Sequence, residues 1–195
     1  MGREGVALSV DIRSLIRQCL GGDQSAMVEL VNRYQGQVFG LCYRMLRHRQ
    51  DAEDMAQETF TRVLRNLKSW DPSRDFEPWL LAIAGNRCRT LLAKRMRKPA
   101  PQSLVQPVPD HRPDAEGARW LAEEVELALG QLRAEYRQAF VLFHEHQLSY
   151  AEIGESLDCP LGTVKTWVHR ARREIIDCLR ERGVLEEQRH AARTA

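Results

Sequence analysis

The stretch Leu148–Glu174, LSYAEIGESLDCPLGTVKTWVHRARRE, spells out a helix, a tight turn and a second helix. Ser149 is placed to cap the first helix, and Glu152, three residues on, completes a capping box. Ala151, Ile153 and Leu157 are its expected buried positions, and Asp158-Cys159-Pro160 ends it. Leu161-Gly162-Thr163 opens the second helix. Along it Val164, Val168, Ala171 and Ile175 recur at i, i+4, i+7 and i+11 and are expected to face inward. Lys165, Thr166, His169, Arg170 and Arg173 then point outward, with Thr163 at the start of that face. A short helix, a tight turn and a basic second helix suit the major groove, where the first residues of the second helix meet base edges. Lys165 and Thr166 can reach bases. Arg170, Arg172 and Arg173 are placed for phosphates, and Arg170 is also within reach of a guanine. An ordinary helical hairpin with a solvated basic face is the competing reading. The agreement of turn, caps and outward charge favours DNA.

Outward from this stretch, the 195 residues carry 29 Lys and Arg against 27 Asp and Glu, a net charge of +2. A composition 43 % hydrophobic and 29 % charged is that of a globular chain and excludes a wholly disordered one. No apolar run approaches the roughly 18 residues of a membrane span. Asp11, Arg13 and Arg17 interrupt any signal-peptide core. A cytoplasmic protein is therefore expected, with no membrane insertion. The five cysteines (Cys19, Cys42, Cys88, Cys159, Cys178) are odd in number, far apart and without a CxxC pair. That argues against a disulfide framework and a zinc site and fits reduced cytosolic thiols.

Five of the eight prolines fall in PAPQSLVQPVPDHRP, residues 99–113, which reads as a semi-stiff linker. On either side the apolar residues recur at helical spacing and no segment alternates as a strand. The expected fold is all-α. Two small helical domains, 22–98 and 119–182, are joined by a proline-rich linker at 99–118. A helical extension at 1–21 precedes them and a flexible tail at 183–195 follows. Expected helices run from about Val10 to Leu20, from Asp23 or Ser25 through Met45, from Asp51 to Leu67, from Trp79 to Arg97, and over 115–130, 134–146, 150–157 and 161–181. Glu77-Pro78 is read as part of a loop.

The first half is the basic one: residues 1–98 hold 17 Lys and Arg against 11 Asp and Glu. Within it Asp51, Asp54 and Glu58 stack at i, i+3 and i+7 as an acidic stripe. Acids in a first helical turn also simply favour the helix dipole. After them, Trp70, Phe76 and Trp79 interleave with Lys68, Arg74, Arg87 and Arg89, a pattern that suits unstacked single-stranded bases. Core packing is the alternative for these rings.

Three segments, Gly22–Leu46 (GDQSAMVELVNRYQGQVFGLCYRML), Asp51–Phe60 (DAEDMAQETF) and Pro78–Lys98 (PWLLAIAGNRCRTLLAKRMRK), closely resemble domain two of bacterial sigma factors. Leu132–Ile175 resembles their domain four. The ordered pair over 22–98 and 123–180 looks like an extracytoplasmic-function sigma factor. The resemblance implies that Asp51, Glu53, Asp54, Gln57 and Glu58 bind core RNA polymerase at its clamp helices, with Phe60 in a binding or a structural part. It implies that Lys68, Trp70, Arg74, Phe76 and Asn86 read the melted −10 element, one base being flipped into a pocket. Arg87, Arg89, Lys94, Arg95, Arg97 and Lys98 would hold the strand backbone. Thr163, Lys165, Thr166, His169, Arg170 and Arg173 would bind the −35 duplex. The implied partners are core polymerase, promoter DNA and an anti-sigma factor, with no cofactor, metal or small-molecule substrate.

Four positions depart from the family's pattern: Gly85, where Arg is common before the Asn; Thr90, for a frequent acid; Arg133, for a frequent Pro; and Trp167, for a typical Arg. Trp167 has two places open to it, under its helix or against a thymine methyl or sugar. A helix-turn-helix regulator with an N-terminal sensory domain is the rival reading, opposed by the acidic helix and the aromatic-basic loop. An enzyme is not expected. His144 and His146 point to different helix faces, and there is no HExxH, P-loop or GxSxG.

Overall fold

Eight α-helices and one 3-10 turn make up the regular structure of the described residues, 11–97 and 116–184 of a computed structural model, and no strand is among them. Residues 1–10, Lys98, most of the proline-rich segment and the tail beyond 184 lie outside the described residues.

Helix α1 (Ile12–Leu20) starts where the Asp11 carboxylate accepts the Arg13 N–H. Its Leu15, Ile16 and Cys19 are buried, so the extension packs against the first half. Helix α2 (Gln24–Leu46) is capped by Asp23, which accepts the N–H groups of Ser25 and Ala26. It buries Leu30, Tyr34, Val38, Leu41 and Met45 at helical spacing. Helix α3 (Arg49–Arg65) begins two residues before Asp51, because His48 Nδ1 accepts the Asp51 N–H. A 3-10 turn follows at Leu67–Ser69. Helix α4 (Phe76–Arg97) begins three residues before Trp79, which corrects the loop read at Glu77-Pro78. Pro78 sits in the first turn, where backbone N–H groups have no helical partner to lose. The second half holds α5 (Glu116–Gln131), α6 (Ala134–His144), α7 (Tyr150–Leu157) and α8 (Leu161–Glu181).

The two halves share a core. One buried cluster runs from Leu15 through Leu41, Phe76, Leu80 and Cys88 to Ala139, Leu142, Ile153, Val164 and Val168. A smaller cluster joins α5, α6 and α8 through Leu129, Leu132, Tyr136, Ala171 and Ile175. Each fully buried Leu or Ile is worth about 1.5–3 kcal/mol against exposure, so the shared core holds the halves together.

Two polar residues of α6 lie at this boundary. Arg137, 6 % exposed, donates to the carbonyls of Met45, Gly130 and Leu132. The Met45 carbonyl lies at the C-terminus of α2, the negative end of its dipole. Burial, with Arg47 nearby, lowers the Arg137 pKa to about 10, and it stays charged at neutral pH. Gln138 is fully buried against Gly85, and its side-chain oxygen accepts from Arg89 at 3.4 Å. Around the rim Arg44 pairs with Glu126 and with Glu145, and Arg74 with Glu155 at 3.7 Å.

Candidate nucleic-acid interface

The turn between α7 and α8 is built from several local interactions. The Ser149 hydroxyl accepts the Glu152 N–H at 3.2 Å, and the Glu152 carboxylate accepts the Ser149 N–H at 2.7 Å, the reciprocal box the spacing predicts. Asp158 ends α7 in the left-handed region (φ 51°, ψ 51°), and the Cys159 N–H returns to the Gly154 carbonyl at 2.9 Å. Gly154 is a residue that sequence reasoning missed. A Cβ there would stand 3.0 Å from the Cys159 carbonyl oxygen and 3.7 Å from Val164 Cγ2. Its signal is a glycine inside a short helix four residues before the turn. Ala151, expected to be buried, is exposed, and Leu157 is half-buried. The inward position of the first turns belongs to Ile153, which is fully buried.

On α8, Val164, Val168, Ala171 and Ile175 are buried as their spacing predicts. Lys165, Thr166, His169, Arg170 and Arg173 are exposed on the opposite side, and Thr163 is half-buried. The Thr166 hydroxyl donates to the Gly162 carbonyl at 2.8 Å, which leaves its oxygen as an acceptor. Trp167 packs inward against both clusters, the first of its two open places. Arg170 donates to the Tyr136 hydroxyl at 2.9 Å. Arg172 turns to α6 instead, donating to His144 Nε2 at 3.0 Å and lying over Phe143. Burial, with the Arg172 charge second, holds the His144 pKa below its ordinary value.

The first half brings the acidic and basic sets together. Asp51 accepts from Arg95 of α4 at 2.6 Å, and Glu58 pairs with Arg87. Glu53 pairs with Arg49 within α3, and Asp54 accepts from Gln50. Asp54, Gln57 and Glu58 are exposed, Asp51 and Glu53 half-buried, and Phe60 is buried at 8 %. Beside this stripe lies an open groove between α2 and α3, lined by Val31, Phe39, Glu53, Gln57 and Phe60. Its α2 side was not read from the sequence, because Val31 and Phe39 look like ordinary core positions.

Lys68, Arg74, Asn86, Lys94 and Arg95 are exposed, and Arg87 and Arg89 half-buried. Arg89 also donates to the Asn86 side-chain oxygen at 3.4 Å, so those two sit as a unit on α4. Trp70 and Phe76 need correction as base-stacking residues. They are 6 % and 2 % exposed and meet edge-on with centroids 5.6 Å apart. Tyr34 and Trp79 close around Phe76. Rings this deeply buried offer a base almost no surface, which is the core-packing alternative for these two.

Among the described residues no cluster of three or more His, Cys, Asp or Glu could hold a metal ion, and no helix is long and apolar enough to cross a membrane.

The family description Sigma-70 region 2 matches residues 30–98, and Sigma-70, region 4 matches residues 122–175. The chain is 36 % identical over 186 residues to the ECF RNA polymerase sigma factor SigW of Bacillus subtilis, covering 87 % of this chain and 97 % of that protein. Its fold matches that of the sigma factor RpoE, solved in complex with the anti-sigma factor NepR from Bartonella quintana. There the TM-score is 0.67 at 21 % identity, over 78 % of this chain and 95 % of that one. It also matches CnrH, solved with the cytosolic domain of CnrY, with a TM-score of 0.64 at 26 % identity, over 87 % and 97 % of the two chains.

Proposed function

Because the chain belongs to the extracytoplasmic-function RNA polymerase sigma factors, we propose how its residues divide the work of transcription initiation. The helices of 22–98 form domain two and those of 119–182 form domain four, joined through 99–118. Exposed Asp54, Gln57 and Glu58 of α3, with Glu53 at the edge of the groove, contact core polymerase. Asp51 lies deeper and holds Arg95.

Lys68, Arg74 and Asn86 meet the melted −10 strand, and Arg87, Arg89, Lys94 and Arg95 hold its backbone. Phosphate contacts of this kind fix register without reading sequence. A base leaving the stack is the step that Asn86 is placed to receive. Trp70 and Phe76 act beneath them by keeping the loop in shape. Domain four reads the −35 duplex through Lys165, Thr166 and Arg170, with His169 and Arg173 on the flanks. The observation that carries this reading is α8 itself: a buried apolar side, an exposed basic side, and a capped turn that fixes its entry angle.

The reading extends to partners and place. RpoE of Bartonella quintana was solved with an anti-sigma factor, and we assign this chain a partner of that kind. It works in the cytoplasm, where polymerase and promoter are.

Asp54→Lys tests the α3 assignment. The side chain is exposed, so the fold should survive, and affinity for core polymerase should drop at least tenfold. Unchanged affinity with an unchanged thermal midpoint would remove α3 from the polymerase contact.

A further inference from the structure

We propose that Tyr136 is a positioning residue for −35 recognition: its hydroxyl sets the orientation of the Arg170 guanidinium before DNA arrives. The proposal rests on the reading above that Arg170 faces the −35 duplex. Tyr136 lies on α6 and is 5 % exposed. Its oxygen accepts from Arg170 Nη1 at 2.9 Å, and the Arg170 guanidinium carbon lies 6.0 Å from the ring centroid. The Arg133 guanidinium carbon is 5.5 Å from the same ring.

An arginine presents its N–H donors as a rigid planar fork on a flexible stem. The bond at Nη1 fixes the roll of that fork, and the ring below limits its tilt. The N–H groups of Nε and Nη2 and the second N–H of Nη1 are then the donors left for a partner outside the protein. A side chain held in this way loses less freedom on binding than a mobile one. It also presents one orientation to the base pair, which is what bidentate reading of a guanine edge requires.

The ring of Tyr136 has a second role in the small cluster with Leu129, Leu132, Ala171 and Ile175. Tyr136→Phe separates the two roles, since it keeps the ring and removes only the oxygen. The test uses the full chain bound to sigma-free core polymerase. Base preference is measured on a promoter library randomised at the −35 element with the −10 element fixed. Wild type, Tyr136→Phe, Arg170→Ala and the double variant are compared.

Arg170→Ala should flatten preference at one base pair by about 5- to 150-fold, the discrimination of a lost bidentate contact. Tyr136→Phe should flatten the same position by about 5- to 10-fold, the low end of that range, and leave the others alone. The double variant should be no worse than Arg170→Ala. A wild-type profile for Tyr136→Phe beside a flattened one for Arg170→Ala would overturn the proposal and keep the Arg170 reading. A uniform loss across all sequences for Tyr136→Phe would make its hydroxyl merely structural and also overturn it. An unchanged profile for Arg170→Ala would overturn the reading and the proposal together.

Discussion

Gly85→Ala places a methyl group on the seam between the two halves. An added Cβ would stand 2.1 Å from Gln138 Nε2, 2.6 Å from its Cδ and 3.0 Å from its Cγ. The end of a glutamine is flexible, but Gln138 is fully buried and its oxygen already accepts from Arg89. Relief therefore means losing that bond or moving α4 away from α6. Overpacking of this size costs typically about 1–3 kcal/mol. At tenfold per 1.4 kcal/mol, the ratio of docked to undocked halves should fall by about 5- to 150-fold. Hydrogen exchange of the full chain reads this locally, and small-angle scattering reads it globally. Amides of α4 and α6 should exchange faster and the radius of gyration should rise, while the amides of α3 stay as they were. Adding Gln138→Ala makes room for the methyl and should restore much of the protection. Wild-type exchange in both helices together with wild-type scattering in Gly85→Ala would refute the argument, since the seam would then have room that the geometry denies.

Three further outcomes follow from the geometry. Ser149→Ala removes one arm of the capping box and should lower stability by about 1 kcal/mol in urea denaturation, with the helix-turn-helix still formed. Lys165→Ala should change −35 preference more than it changes the salt dependence of promoter binding; a uniform loss across sequences would make Lys165 a phosphate contact. His144 and His146 are both held below the ordinary histidine value, each chiefly by burial. The unfolded chain then takes up protons near pH 6.5 that the folded chain resists, so stability should fall as pH drops from about 7 through 6. His146→Gln should flatten that decline, measured as urea midpoints at the two ends of the range.

The helices were legible because their signals are local. Asp23, Ser149 and Glu152 are caps, and Val164, Val168, Ala171 and Ile175 mark a face, within one or two turns of the residues they act on. The errors at Trp70 and Phe76 arise because the deciding partner lies far away in sequence. Trp70 and Phe76 alternate with Lys68 and Arg74 as stacking residues would. Tyr34, 42 residues before Phe76, meets its ring edge-on and shows that this segment folds inward over α2. The docking of the halves was hidden for the same reason. Nothing near Arg137 and Gln138 in the sequence marks them as buried, yet their partners are the carbonyl of Met45 and the bare backbone at Gly85. That contact also gives a physical reason for one departure from the family pattern: no side chain larger than glycine's hydrogen fits between α4 and Gln138. The core-binding and strand-binding sets looked separate in sequence, whereas Arg95–Asp51 and Arg87–Glu58 tie them together across α3 and α4.

Transcription in vitro tests the division of labour most directly. Sigma-free core polymerase is given genomic fragments from the source organism, with and without the full chain, and transcript starts are sequenced. New starts should share two spaced upstream elements. Lys165→Ala should alter the upstream element alone, and Asn86→Ala the downstream one. No new starts, with the same core active under a control sigma factor, would contradict the account, as would both substitutions altering the same element.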